Sequence, residues 1–144
     1  MKPARTLMVW GTASGVGKSV LVSALCRIFL RRGLRVCPFK AQNMSLNSYV
    51  TSDGGEIARA QVVQAQASGL EPDVDMNPVL LKPSSNAMAQ VILRGRPIGK
   101  YSALQYKNLK AEIWGVVTDS LDRIRKDYDL VIMEGAGSPA EINL

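Results

Sequence analysis

The sequence predicts an α/β fold built on a doubly wound, mostly parallel sheet, and three observations support this prediction. An apolar strand at 6–10 is followed directly by a glycine-rich loop and an apolar helix. Strand and helix patterns then alternate along the chain. The predicted strands are continuous apolar runs, which is typical of parallel strands buried on both faces. The length of 144 residues fits a single domain.

The loop at 11–19 reads G-T-A-S-G-V-G-K-S and connects the strand to the helix. In this context the pattern predicts a phosphate-binding loop of the P-loop NTPase type, and therefore binding of ATP or GTP. Backbone N–H groups of such a loop surround a phosphate, its lysine reaches the β- and γ-phosphates, and its serine hydroxyl ligates Mg²⁺. The residues expected to contact the nucleotide are Thr12, Gly15, Val16, Gly17, Lys18 and Ser19.

The loop departs from the commonest pattern, because Thr12 stands at the first glycine position and Gly11 lies one residue earlier. The alternative is a glycine-rich turn that precedes a helix by chance. It would leave the Gly-Lys-Ser ending and the flanking strand and helix unexplained, so we favour phosphate binding.

Composition excludes several classes of function. The chain has no histidine, which rules out Ser-His-Asp and Cys-His catalysis within it and removes a common zinc ligand. The net charge of +6 favours anionic partners, but the basic residues are dispersed, so no nucleic-acid partner is predicted. No stretch resembles a signal peptide or a membrane span, which predicts a cytoplasmic protein without a membrane partner. Cys26 and Cys37 are expected to be buried, reduced thiols.

The elements after the loop follow in order. An apolar run at 20–30 predicts a helix buried against the sheet, and 35–39 predicts the second strand. The polar segment at 40–55 predicts a long loop at the carboxyl edge of the sheet, where open α/β folds bind ligands. An alanine-rich pattern predicts a short helix over 56–68.

The second half of the chain predicts strands at 79–81 and 90–93, then one long amphipathic helix over 102–126 despite Gly115. A buried strand follows at 129–133. A sheet of this type normally continues into another helix and strand. We therefore expect the sheet to be cut short at Leu144 and the chain to be part of a longer protein.

Two charged residues directly follow predicted strands. Glu134 precedes Gly135-Ala136-Gly137 and resembles a Walker B carboxylate, which lies beside the Mg²⁺ of the nucleotide. Lys40 should emerge at the same sheet edge as the phosphate loop, where it suits a phosphate or a carboxylate. The alternative for each is an ordinary solvated charge.

Other polar residues leave two interpretations open. Asp53 either caps the predicted helix at 56–68 or contributes to the metal shell. Lys82 follows the strand at 79–81 and takes the same kind of position as Lys40, with weaker support. The amides of Gln42, Asn43 and Asn47 either bind a polar ligand or bond to their own backbone.

Four strings occur together in one known family. They are P-F-K-A-Q-N-M-S-L-N-S at 38–48, G-G-E-I at 54–57, M-N-P-V-L-L-K-P at 76–83 and E-G-A-G-S-P-A-E-I-N-L at 134–144. Through them the chain resembles the cobyric acid synthase family from the phosphate loop to its last residue. The ATP-binding half of that family resembles dethiobiotin synthetase.

The resemblance implies an ATP-dependent amidoligase of cobalamin biosynthesis. Such an enzyme amidates peripheral carboxylates of adenosylcobyrinic acid a,c-diamide through an acyl phosphate, using ammonia derived from glutamine. By this resemblance Ser19, Asp53 and Glu134 lie near Mg²⁺, and Lys18 and Lys40 are catalytic. The substrate-binding residues that it implies are Lys40, Gln42, Asn43, Asn47, Lys82 and Ser138.

Family members continue into the rest of the synthetase domain and a glutaminase domain, neither of which is in this chain. Residues 1–144 are thus expected to be the N-terminal part of the ATP-binding synthetase domain, inactive alone, with ammonia supplied by the missing domain. A homo-oligomer stays open. The main alternative, a partition or cell-division ATPase, typically carries an extra lysine early in the loop, where this chain has Thr12-Ala13-Ser14. Dethiobiotin synthetase itself fits the 43–47 and 138–141 segments less well.

Overall fold

The computed structural model describes residues 2–84 and 87–138. The strands are β1 (Arg5–Val9), β2 (Val36–Phe39), β3 (Gln42–Met44), β4 (Ser48–Val50), β5 (Glu56–Ala58), β6 (Val79–Pro83), β7 (Met88–Leu93), β8 (Arg96–Ser102) and β9 (Leu130–Glu134). The helices are α1 (Lys18–Arg31), α2 (Arg59–Ala67), α3 (Ala103–Asn108) and α4 (Lys110–Asp127), with a 3-10 turn at Val74–Met76.

A parallel three-stranded sheet in the order β1-β9-β2 forms the centre of the described chain. Helices cover both of its faces, because successive side chains of a strand point to opposite sides. Ile132 of β9 packs with Val22 and Cys26 of α1 on one face. Val131 packs into a second core that includes Ile113 of α4 on the other face. This arrangement is the doubly wound parallel sheet that the sequence predicted.

A second sheet, in the order β3-β6-β7-β8, extends the fold beside the parallel sheet. Strands β3 and β6 are parallel, whereas the β6–β7 and β7–β8 pairs are antiparallel. Strand β8 was not predicted. Its sequence contains Pro97 and Gly99 and is largely exposed, so it lacks the apolar pattern by which the other strands were recognised.

The polar segment at 40–55 is more ordered than the predicted loop. It contains β3, which joins the second sheet, and β4, which pairs antiparallel with β5. Because β5 occupies Glu56–Ala58, helix α2 begins only at Arg59 and has Ala58 as its N-cap residue. The prediction of a helix from residue 56 was therefore wrong at its start, and Asp53 does not cap that helix.

The predicted long helix at 102–126 is divided at Leu109. Ser102 and Gln105 form a capping box at the start of α3. Leu109 is both the C-cap residue of α3 and the N-cap residue of α4. Helix α3 contacts β8, whereas α4 packs on the parallel sheet and on the 3-10 turn. Different packing partners thus separate the two segments, and Gly115 lies inside α4 as expected.

Cys26 and Cys37 are both free and buried, as predicted. Burial raises the pKa of each thiol above its ordinary value. Over the described ranges, the structure has no helix that is both long and apolar enough to span a membrane.

Candidate functional site

The register of the parallel sheet brings the two predicted charged residues together. Phe39 of β2 is aligned with Met133 of β9, so Lys40, directly after β2, and Glu134, the last residue of β9, lie at the same edge. Val9 of β1 is aligned with Glu134, and the Gly135 N–H donates to the Val9 carbonyl. The loop after β1 therefore leaves the sheet beside Glu134.

The glycine-rich loop ends in a left-handed residue that starts α1. Gly17 is the N-cap residue with φ of 96°, and Gly15 has φ of 76°, a region that glycine adopts without strain. Gly11 serves a different purpose: a Cβ there would lie 2.6 Å from Cγ2 of Val16. Close packing across the loop thus favours glycine at position 11.

Lys18 spans the space between two glycine-containing loops. Its ammonium donates to the Ala13 carbonyl at 2.7 Å and to the Gly137 carbonyl at 2.9 Å. The residue is buried although it lies at the first position of a helix next to an exposed loop. A single positive charge is therefore held at the mouth of the phosphate loop and beside the loop that follows β9.

Glu134 is the centre of the site and its side chain is only 1% exposed. Its Oε1 accepts a hydrogen bond from the Ser19 hydroxyl at 2.8 Å and pairs with the Lys40 ammonium at 2.7 Å. Its Oε2 accepts from Nε2 of Gln64 at 2.6 Å. A buried carboxylate needs such partners, because an isolated buried charge is strongly unfavourable.

Ser19 and Glu134 offer the oxygen donors that Mg²⁺ prefers. Nucleotide-bound Mg²⁺ usually takes one or two protein oxygens and completes its shell with phosphates and water. The contact between the Ser19 hydroxyl and the Glu134 carboxylate fits that requirement. Within 2–84 and 87–138, no group of three or more Asp, Glu, Cys or His residues is arranged to hold a metal by itself.

Asp53 is engaged elsewhere. Its Oδ1 accepts from the Thr51 hydroxyl at 2.5 Å and from the Gly55 N–H at 3.3 Å. These hydrogen bonds hold the pKa of Asp53 below its ordinary value. Among the described residues it makes no hydrogen bond to Ser19 or Glu134, so its predicted metal role lacks the contact that supports theirs.

The predicted substrate residues fall into two groups. Asn43 contacts a buried glutamine beside the site, since its Nδ2 donates to Oε1 of Gln61 at 2.8 Å. Gln42 instead accepts from the Tyr106 hydroxyl, and burial raises the pKa of Tyr106 to about 12. Lys82 forms an ion pair with Glu56 across the second sheet and β5.

Asn47 and Ser138 have less informative surroundings. The Asn47 backbone N–H donates to the Ser45 hydroxyl, and its carbonyl accepts from the Arg59 N–H. The exposed Asn47 thus helps to join the 40–55 segment to α2, and its substrate role stays a prediction. Ser138 follows the Gly137 carbonyl that binds Lys18 and is the last described residue.

Sequence reasoning missed Gln61 and Gln64, both of which are fully buried on α2. The prediction of this helix relied on its alanine-rich pattern and did not consider its glutamines. The available signal was the spacing of three between the two glutamines, which places both amides on one helix face. Polar side chains on the buried face of a helix need internal hydrogen-bond partners, and here these hydrogen bonds connect the two amides to Glu134.

The fold and the site define a nucleotide-binding α/β domain with a phosphate loop after its first strand. Residues 7–133 match the model of the CobQ/CobB/MinD/ParA nucleotide binding domain, and the chain belongs to this family.

Within that family, the chain is similar to cobyric acid synthases over almost its whole length. It is 60% identical over 142 residues to the one from Pelotomaculum thermopropionicum, a match that covers 98% of this chain and 27% of the relative. Those from Desulforudis audaxviator and Sorangium cellulosum are each 60% identical over 141 residues, with 98% of this chain and 28% and 27% of the relatives covered. The chain thus spans little more than a quarter of the length of these relatives.

Proposed function

We propose that this chain is the phosphoryl-transfer part of a cobyric acid synthase. The protein that contains it would amidate peripheral carboxylates of adenosylcobyrinic acid a,c-diamide with ATP and glutamine-derived ammonia. One observation carries the proposal: Oε1 of Glu134 is shared by the Ser19 hydroxyl of the phosphate loop and the ammonium of Lys40, which directly follows the neighbouring strand β2. This arrangement joins a nucleotide site to a second cationic group at one sheet edge.

The phosphate side of the reaction depends on the loop at 11–19. Backbone N–H groups at the start of α1 and the Lys18 ammonium would bind the β- and γ-phosphates. Lys18 is already held at the mouth of the loop by the carbonyls of Ala13 and Gly137. An ammonium is a better partner for phosphate oxygens than for neutral carbonyls, so nucleotide binding would replace these contacts.

The carboxylate side depends on Lys40, whose ammonium pairs with Glu134. The substrate carboxylate would attack the γ-phosphorus, ADP would leave, and an acyl phosphate would form. Lys40 would neutralise the charge of the approaching anions, because two anions repel each other as they meet. Ammonia would then attack the acyl carbon and release inorganic phosphate, leaving the amide.

Ser19 and Glu134 would hold Mg²⁺ in this scheme. When bound, the ion neutralises charge on the β- and γ-phosphates. Asp53 is a weaker candidate because its carboxylate is bound within its own turn. Asn43, Gln42, Asn47, Lys82 and Ser138 remain candidates for orienting the corrinoid substrate.

Three further parts of the proposal concern the whole protein. Ammonia would come from a glutaminase domain outside this chain, and the residues here would be inactive without the remainder of the synthetase. The enzyme would act in the cytoplasm, where ATP and the reducing conditions suited to the two free cysteines are found. A homo-oligomer remains compatible with this function.

An isotope-transfer experiment with the full-length protein tests the proposal. The corrinoid carboxylates are labelled with ¹⁸O, and the protein is supplied with ATP, Mg²⁺ and ammonia. Because the acyl phosphate retains a carboxylate oxygen in its P–O–C bridge, one ¹⁸O atom should appear in each inorganic phosphate released. Amide formation with unlabelled phosphate would contradict the acyl-phosphate mechanism, and absence of amide formation would contradict the assigned activity.

A pair of variants links this reaction to the present chain. Lys40→Met should abolish ¹⁸O transfer, because it removes the cation where phosphate and carboxylate meet. Lys100→Met is the matched control, since Lys100 is an exposed residue of β8. Transfer at the normal rate in Lys40→Met would remove Lys40 from the mechanism.

A further inference from the structure

A chain of buried side-chain amides connects Asn43 to the carboxylate of Glu134. Nδ2 of Asn43 donates to Oε1 of Gln61 at 2.8 Å, and Nε2 of Gln61 donates to Oε1 of Gln64 at 3.5 Å. Nε2 of Gln64 then donates to Oε2 of Glu134 at 2.6 Å. Each amide is therefore oriented with its N–H group toward Glu134.

The direction of the chain is fixed by its last member. The carboxylate of Glu134, paired with Lys40, can only accept hydrogen bonds, so Gln64 must present its NH₂ group to it. The carbonyl of Gln64 then faces Gln61, and the carbonyl of Gln61 faces Asn43. Gln61 and Gln64 are both 0% exposed, so water cannot easily replace these partners.

The hydrogen bond from Gln64 fixes the orientation of the Glu134 carboxylate. The terminal torsion of a glutamate is broad and roughly two-fold, so packing alone does not define which oxygen faces a given partner. Gln64 binds Oε2, whereas Ser19 and Lys40 both bind Oε1. The carboxylate is thereby held with one oxygen toward α2 and the other toward the phosphate loop.

We propose that Gln64 is a positioning residue, supported by Gln61 and Asn43, that holds the Glu134 carboxylate so that Oε1 faces the phosphate loop and its Mg²⁺. This inference rests on the proposed function, because it assumes that Glu134 serves the nucleotide-bound ion. Groups that orient a metal-binding side chain commonly change metal affinity or activity by about 10- to 100-fold when they are removed. The long contact between Gln61 and Gln64 makes Gln64 the strongest contributor of the three.

Asn43 forms the outer end of this chain of amides. Asn43 lies on β3, in the segment where substrate binding is proposed, and is only half-buried. A substrate that bonds to its amide would engage the outer end of the same chain whose inner end holds Glu134. Hydrogen-bonded amides polarise one another, so the effect should decrease from Gln64 to Gln61 to Asn43.

The test uses the full-length protein and the variant Gln64→Met, which keeps the length of the side chain and removes its donor. Binding of a non-hydrolysable ATP analogue is measured by calorimetry over a range of Mg²⁺ concentrations. We expect the Mg²⁺ concentration for half-maximal binding to rise by about 10-fold. Gln66→Met is the matched control, because Gln66 lies on the exposed face of the same helix, and it should bind like the wild type.

A double-variant cycle separates positioning from a general structural effect. If Gln64 acts through Glu134, Gln64→Met should change the Mg²⁺ requirement little in a Glu134→Gln background. Additive changes would contradict the positioning role. Should Gln64→Met fail to fold, Gln64→Asn keeps the amide but is too short to reach Oε2, and it should show the same rise.

The outcomes distinguish this inference from the proposed function. Wild-type binding that does not depend on Mg²⁺, or that is unaffected by Glu134→Gln, would overturn both. A different result would overturn only the role of Gln64. In that case Glu134→Gln raises the Mg²⁺ requirement, but Gln64→Met or Gln64→Asn requires no more Mg²⁺ than the wild type.

Discussion

Lys40 and Glu134 form an ion pair of 2.7 Å whose side chains are only 11% and 1% exposed. Lys40 directly follows β2 and Glu134 is the last residue of the neighbouring parallel strand β9, so the backbone itself sets their proximity. Such a pair costs desolvation energy and is a poor source of net stability. Its position beside the phosphate loop suits a role in ligand binding, because it places a lysine and a carboxylate where a charged ligand can reach them.

Removal of the Lys40 charge alone should destabilise the site more than removal of the Lys40 and Glu134 charges together. Lys40→Met leaves the buried Glu134 carboxylate without its cation, which should lower the local stability by about 3 kcal/mol. The double variant Lys40→Met with Glu134→Gln should recover part of that loss, since the uncompensated charge is gone. Hydrogen exchange of the β2 and β9 amides measures both effects. Equal protection in Lys40→Met and the wild type would show that the pair has no structural effect.

Lys18 should be essential for turnover in the full-length protein. Lys18→Ala removes the charge that would stabilise the transferring phosphoryl group, so we expect amidation to fall by at least about 100-fold. The rate of ADP release in the presence of the corrinoid substrate measures the change. Lys100→Ala, at an exposed position of β8, is the control and should retain the wild-type rate. Near-normal turnover in Lys18→Ala would remove Lys18 from the reaction.

Glu134→Gln should raise the Mg²⁺ requirement of the reaction. The substitution keeps the size of the side chain but removes its charge and turns one oxygen into an amide donor. It therefore weakens attraction for a cation at Ser19 Oγ and Glu134 Oε1. A titration of Mg²⁺ at saturating ATP should show the half-maximal concentration rising by about 10-fold. An unchanged titration would exclude Glu134 from the metal shell.

Asp75 should stabilise the fold in a pH-dependent manner. Burial alone would raise its pKa, but hydrogen bonds from Arg123 and Ser120 and the charge of Arg94 outweigh burial and hold the pKa below its ordinary value. A carboxyl whose folded pKa is lowered contributes stability above its unfolded value, and this contribution declines as the pH falls toward the folded pKa. Asp75→Asn should therefore cost about 1–3 kcal/mol near pH 7 and much less near pH 3.

Thermal unfolding of the Asp75→Asn variant between pH 3 and pH 7 measures this contribution. Asp122→Asn is the control, because Asp122 is exposed on α4 and should leave the unfolding temperature unchanged at every pH. A constant difference between Asp75→Asn and the wild type across the range would mean that ionisation of Asp75 does not stabilise the fold.

The sequence predicted those parts of the fold that depend on local pattern. Continuous apolar runs located β1, β2 and β9, and the glycine-rich loop located the start of α1. Parallel strands end at a common edge, which was sufficient to predict that Lys40 emerges at the same edge as the phosphate loop; its ion pair with Glu134 was not predicted. Each of these conclusions uses only residues close in sequence and a general rule of α/β topology.

Elements that depend on distant pairing could not be predicted. Strand β3 is three polar or flexible residues long, and its pairing with β6 depends on a partner almost forty positions away. The contact of Gln64 with Glu134 joins residues separated by 70 positions, and neither side chain indicates its partner. Long-range hydrogen bonds between buried polar groups follow from the assembled fold and not from local periodicity.

The central claim is that the loop at 11–19 binds ATP with Mg²⁺ through Lys18 and the Ser19–Glu134 pair. Calorimetric titration of the full-length protein with a non-hydrolysable ATP analogue, with and without Mg²⁺, tests it most directly. We expect Mg²⁺-dependent binding in the wild type, weaker binding of the GTP analogue, and a loss of at least about 10-fold in affinity for Lys18→Ala. Equal binding by the wild type and Lys18→Ala, or binding that is independent of Mg²⁺, would contradict the account.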